Sequence, residues 1–111
     1  MRLRADIFAA ALIRQAQSRG AYAMLRRRGA PEAGAIFVCV DRLDGTAALF
    51  GPAPQSEIGE DGDRRFERLH KDDWVSTAIV DDKLRREIEF DPDLWIVDIE
   101  DRQGRDFLSG P

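Results

Sequence analysis

A chain of 111 residues, 43% hydrophobic and 34% charged, can bury one core and is too short for two ordinary domains. That composition excludes a disordered chain, which lacks the apolar surface to offset its ordering entropy, and no apolar run approaches the roughly 20 residues that span a bilayer. The net charge of −4 is uneven: residues 1–28 carry seven arginines and one acid, residues 29–111 ten basic and twenty acidic residues.

The first predicted element is a helix from Arg4 to Arg19. Ala5, Phe8, Ala9, Leu12, Ile13 and Ala16 fall on one stripe. Gly20 suits the left-handed residue that closes such a helix. Arg2 and Arg4 before Ile7–Ile13, with Ala21-Tyr22-Ala23 beyond, loosely imitate a signal peptide. Asp6 and Arg14 bracket that short stretch, and an amphipathic helix describes it better.

Ala21 to Arg28 reads as a strand, and Gly29-Ala30-Pro31-Glu32 as a turn. Ala35 to Leu43 is the clearest strand. It is followed by Asp44-Gly45 and a partner strand, Thr46 to Gly51. A two-residue Asp-Gly loop, with both residues at positive φ, predicts a hairpin. In that register Leu43 faces Thr46, Val40 faces Leu49 and Cys39 faces Phe50. One hairpin face then carries Ile36, Val38, Val40, Ala47 and Leu49; the other carries Phe37, Cys39 and Phe50. Both faces are apolar, so the hairpin needs cover twice, from a helix on each side or from one helix layer and a second subunit.

Pro52 and Pro54 stop the hairpin, and Ser56 to Asp63 is expected to be a mobile loop. Residues 64–71 are ambiguous between helix and strand, with the alternation around Phe66, Arg68 and His70 favouring a strand. Ser76 to Phe90 is the second helix, with Val80, Leu84 and Ile88 as its buried stripe. Pro92 ends it, and Leu94 to Glu100 is the last strand, with Trp95, Val97 and Ile99 on one face. Gln103-Gly104 is a turn, and Phe107-Leu108 a short apolar tail. The expectation is an α+β single domain over 1–111, in the order α-β-β-β-β-α-β. Its sheet is antiparallel or mixed, with helical cover.

Several phrases carry a resemblance. They are the opening Leu3-Arg4-Ala5-Asp6 and the strand approach Glu32-Ala33-Gly34-Ala35-Ile36-Phe37-Val38. With them go Gly51-Pro52-Ala53-Pro54-Gln55, Arg64-Arg65-Phe66-Glu67 and Phe90-Asp91-Pro92-Asp93-Leu94-Trp95-Ile96-Val97. Together they resemble the small alphaproteobacterial family catalogued as domain of unknown function number 1491, over nearly the whole chain. The resemblance implies a bacterial, stand-alone, cytoplasmic protein. It brings no activity and no catalytic residues.

The chemistry available from the residues is thin. Cys39 is the lone cysteine, which fits a reducing compartment, and His70 is the lone histidine. A mid-strand thiol among apolar residues is expected to be buried and inert, and one histidine cannot define a zinc site. Asp91, Asp93, Asp98 and Glu100 have the oxygen ligands a hard cation prefers. They also read as turn punctuation and the solvent face of an edge strand. A faint likeness to restriction-endonuclease-type nucleases fails at Glu100-Asp101-Arg102, which lacks the expected lysine. No cofactor is implied.

Arginines form the other set. On a strand, Arg26 and Arg28 share a face, with Arg27 opposite; further on, Arg65 lies apart from Arg64 and Arg68; these could bind an anion or an acidic partner. The plain alternative is a charged strand edge that resists aggregation. Trp95 reads as core, while Trp74, in a polar stretch before the second helix, is an interface candidate or a staple for that helix. The leading reading is therefore a non-enzymatic interaction or regulatory module, a homodimer or a binder of another protein. An arginine-dependent nucleic-acid-binding or nuclease-related domain is the second reading, disfavoured by net acidity. A small metal-dependent enzyme is the third.

Overall fold

The computed structural model describes residues 3–54 and 64–108. The element order is helix α1 (Ala5–Ser18), strands β1 (Tyr22–Arg27), β2 (Ile36–Asp41), β3 (Thr46–Pro52), β4 (Phe66–Arg68) and β5 (Val75–Ser76), helix α2 (Thr77–Phe90) and strand β6 (Trp95–Glu100). This is the expected α+β order, with the two-residue β5 added at the head of α2. The segment 64–71 contributes a strand, as its alternation suggested. The loop expected over Ser56–Asp63 lies outside the described residues. Among the described residues, no helix is long and apolar enough to cross a membrane.

The sheet is mixed and runs β1-β6-β2-β3-β4, with β5 also on β3. The last strand thus inserts at the centre. It pairs antiparallel with β1 and parallel with β2. The long return from β3 through α2 lets it lie parallel to β2, as a parallel pair requires a crossover. The expectation that Asp98 and Glu100 mark an edge strand is therefore corrected.

One apolar layer lies on each side of the sheet. α1 packs Ala5, Ala9, Leu12 and Ala16 against Ile36, Val38, Val40, Trp95, Val97 and Ile99. Small alanines let the helix approach the sheet closely. α2 packs Val80 and Leu84 against Phe37, Cys39, Ala47, Leu49 and Ile96 on the other side. Both faces of the hairpin are thus covered by helices of the same chain. α2 is capped at its start by Ser76, whose Oγ accepts from the Ile79 N–H at 3.3 Å.

The hairpin register differs by one residue from that expected. Val38 faces Phe50, Cys39 faces Leu49, Val40 faces Ala48 and Asp41 faces Ala47. Phe50 therefore joins Val38 and Val40 on the α1 side, and Ala47 and Leu49 join Cys39 on the α2 side. The cause is the loop. Arg42 N–H donates to the Thr46 carbonyl, so Leu43-Asp44-Gly45 is a three-residue connection. Leu43 (φ 64°) and Gly45 (φ 89°) take positive φ. Asp41 accepts from Leu43 N and Asp44 from Thr46 N, and these bonds hold the turn.

Candidate functional site

β4, the end of β3 and the C-terminal segment meet on the α1 side of the sheet. They enclose a concavity of about 510 Å³. Arg64, Arg65 and Arg68 line it, over a floor that includes Phe50 and Phe66, with Glu67 and Asp106 at its margin. The pairing of β4 with β3 explains the placement: Phe50 faces Arg68 and Pro52 faces Phe66 across the ladder. Phe66 stacks on Phe8 of α1 at 5.6 Å between ring centroids, which fixes β4 to the helix layer.

Arg64 is anchored. Its guanidinium donates to the carbonyls of Gly34 and Leu3 and lies over the Phe8 ring. Arg68 is exposed, and its guanidinium lies 4.9 Å from the Phe50 centroid and 5.8 Å from that of Trp74. No carboxylate among the described residues pairs with Arg68. A guanidinium laid on aromatic faces keeps its N–H edge available to an anion.

The other arginines singled out by sequence do not join this site. Arg26 pairs with Asp98 (2.8 Å) of β6 and with Asp81 (3.2 Å) of α2, on the opposite side of the sheet. Burial is the largest single influence and works against the Arg26 charge, but hydrogen bonding and charge attraction to Asp98, with the smaller contributions of Cys39 and Asp81, together outweigh it and raise its pKa further above the ordinary arginine value. A bulge between Leu25 and Arg27 breaks the alternation of β1. Arg28 consequently does not share the Arg26 face. It lies 5.3 Å from the Trp95 ring, which belongs to the α1-side core. Arg27 donates to the Pro92 carbonyl.

Trp74 is half-buried against the α1-side core, the side opposite α2. It thus lies against the sheet just before α2 begins, on the side away from that helix. Arg42 covers it at 4.0 Å, and a Cβ at Gly104 would lie 2.7 Å from its ring. Trp74 sits among Arg42, Arg68 and Gly104, beside the arginine concavity.

The acidic candidates separate. Asp91 caps the turn by accepting from Asp93 N, and the Asp93 carbonyl accepts from Ala30 N. Asp98 and Glu100 project from the far half of β6, and Asp98 is held by Arg26. No group of three potential ligands converges among the described residues.

Cys39 and His70 are likewise structural. Cys39 is buried, and burial, followed by the nearby Asp98 carboxylate, pushes its thiol up to about 12. It is a protonated core side chain at neutral pH. His70 accepts from the Leu49 N–H through Nε2 at 3.0 Å, so Nδ1 carries the proton and faces the Asp72 carbonyl. The ring extends the β3 ladder beyond β4, beside the Leu69 N–H bond to the Leu49 carbonyl.

Sequence reasoning missed a second concavity, of about 360 Å³, on the α2 side. Phe37, Leu49, Pro52 and Leu69 form its floor, and Lys83, Arg86 and Glu87 of α2 its rim. The spacing of Lys83, Arg86 and Glu87 along one helical edge was a signal, but the floor arises from three separate segments.

A family model described as a protein of unknown function, DUF1491, matches residues 3–109. The chain is 41% identical to a DUF1491 family protein from Caulobacter crescentus in its crystal structure. The match covers 100% of this chain and 97% of that one, with a TM-score of 0.79. A protein from A. tumefaciens, solved in solution, is 42% identical, with coverage of 90% and 86% and a TM-score of 0.78. No curated protein matches the chain.

Proposed function

The chain belongs to the DUF1491 family of proteins of unknown function, and from that premise we propose a non-enzymatic interaction module whose arginine concavity holds an acidic segment of another protein. The observation that carries this reading is the grouping of Arg64, Arg65 and exposed Arg68 over Phe50 and Phe66 in one concavity. Arginine forks recognise carboxylates through paired N–H donors, and the rings offer apolar contact to the residues between. A partner segment with two or more acids and an aromatic residue fits this chemistry.

The partner is another protein in this reading. A second copy was expected because the hairpin is apolar on both faces, and α2 meets that need within the chain. Nucleic acid is less well supported. Arg26 is engaged by carboxylates, Arg28 by a core tryptophan, and the net charge is −4. The proposal takes the setting to be cytoplasmic, as a lone cysteine allows.

The test is a titration of the labelled protein with an acidic, tryptophan-containing peptide, followed by backbone amide spectra. Shifts should concentrate at residues 50–54, 64–68 and 105–108. Shifts elsewhere, or none at millimolar peptide, would remove the reading. Tighter binding of single-stranded DNA than of the peptide would transfer the site to the nucleic-acid reading.

A further inference from the structure

We propose that the α2-side concavity is a separate binding site for a small amphiphilic carboxylate, such as a medium-chain fatty acid. The cavity, about 360 Å³, lies within the size range of small-ligand pockets. Its floor is wholly apolar: Phe37 and Leu49 from the central hairpin, Pro52 at the end of β3 and Leu69 just beyond β4. The polar groups stand on one side only, along α2.

Two features indicate an anionic head over that floor. Lys83 is half-buried at the rim, and no carboxylate pairs with it among the described residues. An ammonium without a counter-charge, on a stem lying beside an apolar floor, is a ready partner for a carboxylate. Arg86 stands one turn further along the same rim. It is tied to Asp82 at 2.6 Å, so it adds positive potential without being the primary contact. Glu87 is the one rim acid, and as the residue four positions after Lys83 it is the internal competitor for that ammonium.

The floor depends on Gly51. A Cβ there would lie 2.8 Å from both the Leu69 Cδ1 and the Phe37 Cε2. Its absence lets Leu69 and Phe37 close together over β3 and make a continuous apolar surface.

The ligand is thus a monocarboxylate with a compact apolar tail, its head on Lys83 and its tail toward Phe37 and Leu69. The experiment titrates the full chain with sodium octanoate below its micelle concentration, beside 1-octanol and octylammonium. The readouts are amide shifts and the melting temperature. Octanoate should shift residues 37, 49, 69 and 83 saturably, bind at least five-fold more tightly than octanol, and raise the melting temperature. Lys83→Gln, at the surface, should reduce octanoate to the affinity of octanol. Glu87→Gln should tighten octanoate by several-fold. Equal binding of octanoate and octylammonium, indifference to both substitutions, or shifts centred on another face would overturn the proposal.

Discussion

The indole N–H of Trp95 donates to the carbonyl of Ala30 at 2.7 Å, closing the turn before β2 onto the start of β6. Around this bond Ala30 N donates to the Asp93 carbonyl and Trp95 N to the Ala35 carbonyl. Arg28 covers the outer face of the ring. The phrase Asp91-Pro92-Asp93-Leu94-Trp95 is thus a clamp that sets the parallel pairing of β6 with β2, and with it the whole sheet order.

The clamp leaves no space for a side chain at Gly34. A Cβ there would lie 2.6 Å from the Asp93 carbonyl oxygen and 2.7 Å from the Trp95 ring. Gly34→Ala should cost about 2–3 kcal/mol of stability in urea unfolding. Trp95→Phe removes the bond to Ala30 and part of the ring, and should cost about 2 kcal/mol. An unchanged unfolding midpoint in either variant would contradict the clamp.

Asp101, only 7% exposed, receives the Arg105 backbone N–H at 2.8 Å and two guanidinium bonds at 2.9 and 3.1 Å. The Arg105 hydrogen bond holds the Asp101 carboxyl below its ordinary value of 3.8. A carboxylate depressed on folding contributes stability above its unfolded pKa. That stability falls away as pH drops below about 4 toward the folded value. Asp101→Asn should lose about 2 kcal/mol at pH 7. The difference from wild type should shrink in acid unfolding below pH 4. A difference constant from pH 7 to pH 3 would contradict this role.

His70→Ala should leave the Leu49 N–H without its acceptor at the edge of β3. The expected cost is about 1–2 kcal/mol. Faster hydrogen exchange should be confined to Leu49 and its neighbours in β4. Unchanged exchange at Leu49 would show that the ring is dispensable.

The buried Cys39 thiol, raised to about 12, should resist a thiol-reactive dye at pH 8 in the native protein and react fully in denaturant. Rapid native labelling would reopen the question of a reactive cysteine.

Local patterns made much of this fold legible. The alanine stripe of α1, the Val80–Leu84 stripe of α2 and the alternation of Trp95, Val97 and Ile99 each identified an element and its buried face. What escaped was set by single backbone angles or by distant pairing. Leu43 at φ 64° lengthens the hairpin loop by one residue and moves Phe50 to the α1 side. The bulge after Leu25 separates Arg26 from Arg28. The parallel β2–β6 pair joins segments more than fifty residues apart, and no local pattern announces it. The site divides in the same way. The sequence singles out Arg64, Arg65 and Arg68 as binding candidates, although alternation places Arg65 apart from the other two; Phe50, Asp106 and Leu108 reach them only through folding.

Arg68 and its neighbours are proposed to receive an acidic protein segment. The most direct measurement is the affinity of an acidic, tryptophan-containing peptide for the wild type and for Arg68→Glu, with folding of both checked by amide spectra. Charge reversal should lower the affinity at least ten-fold, and wild-type binding should weaken as salt rises. Equal affinity of the two folded proteins for the peptide would contradict the proposal.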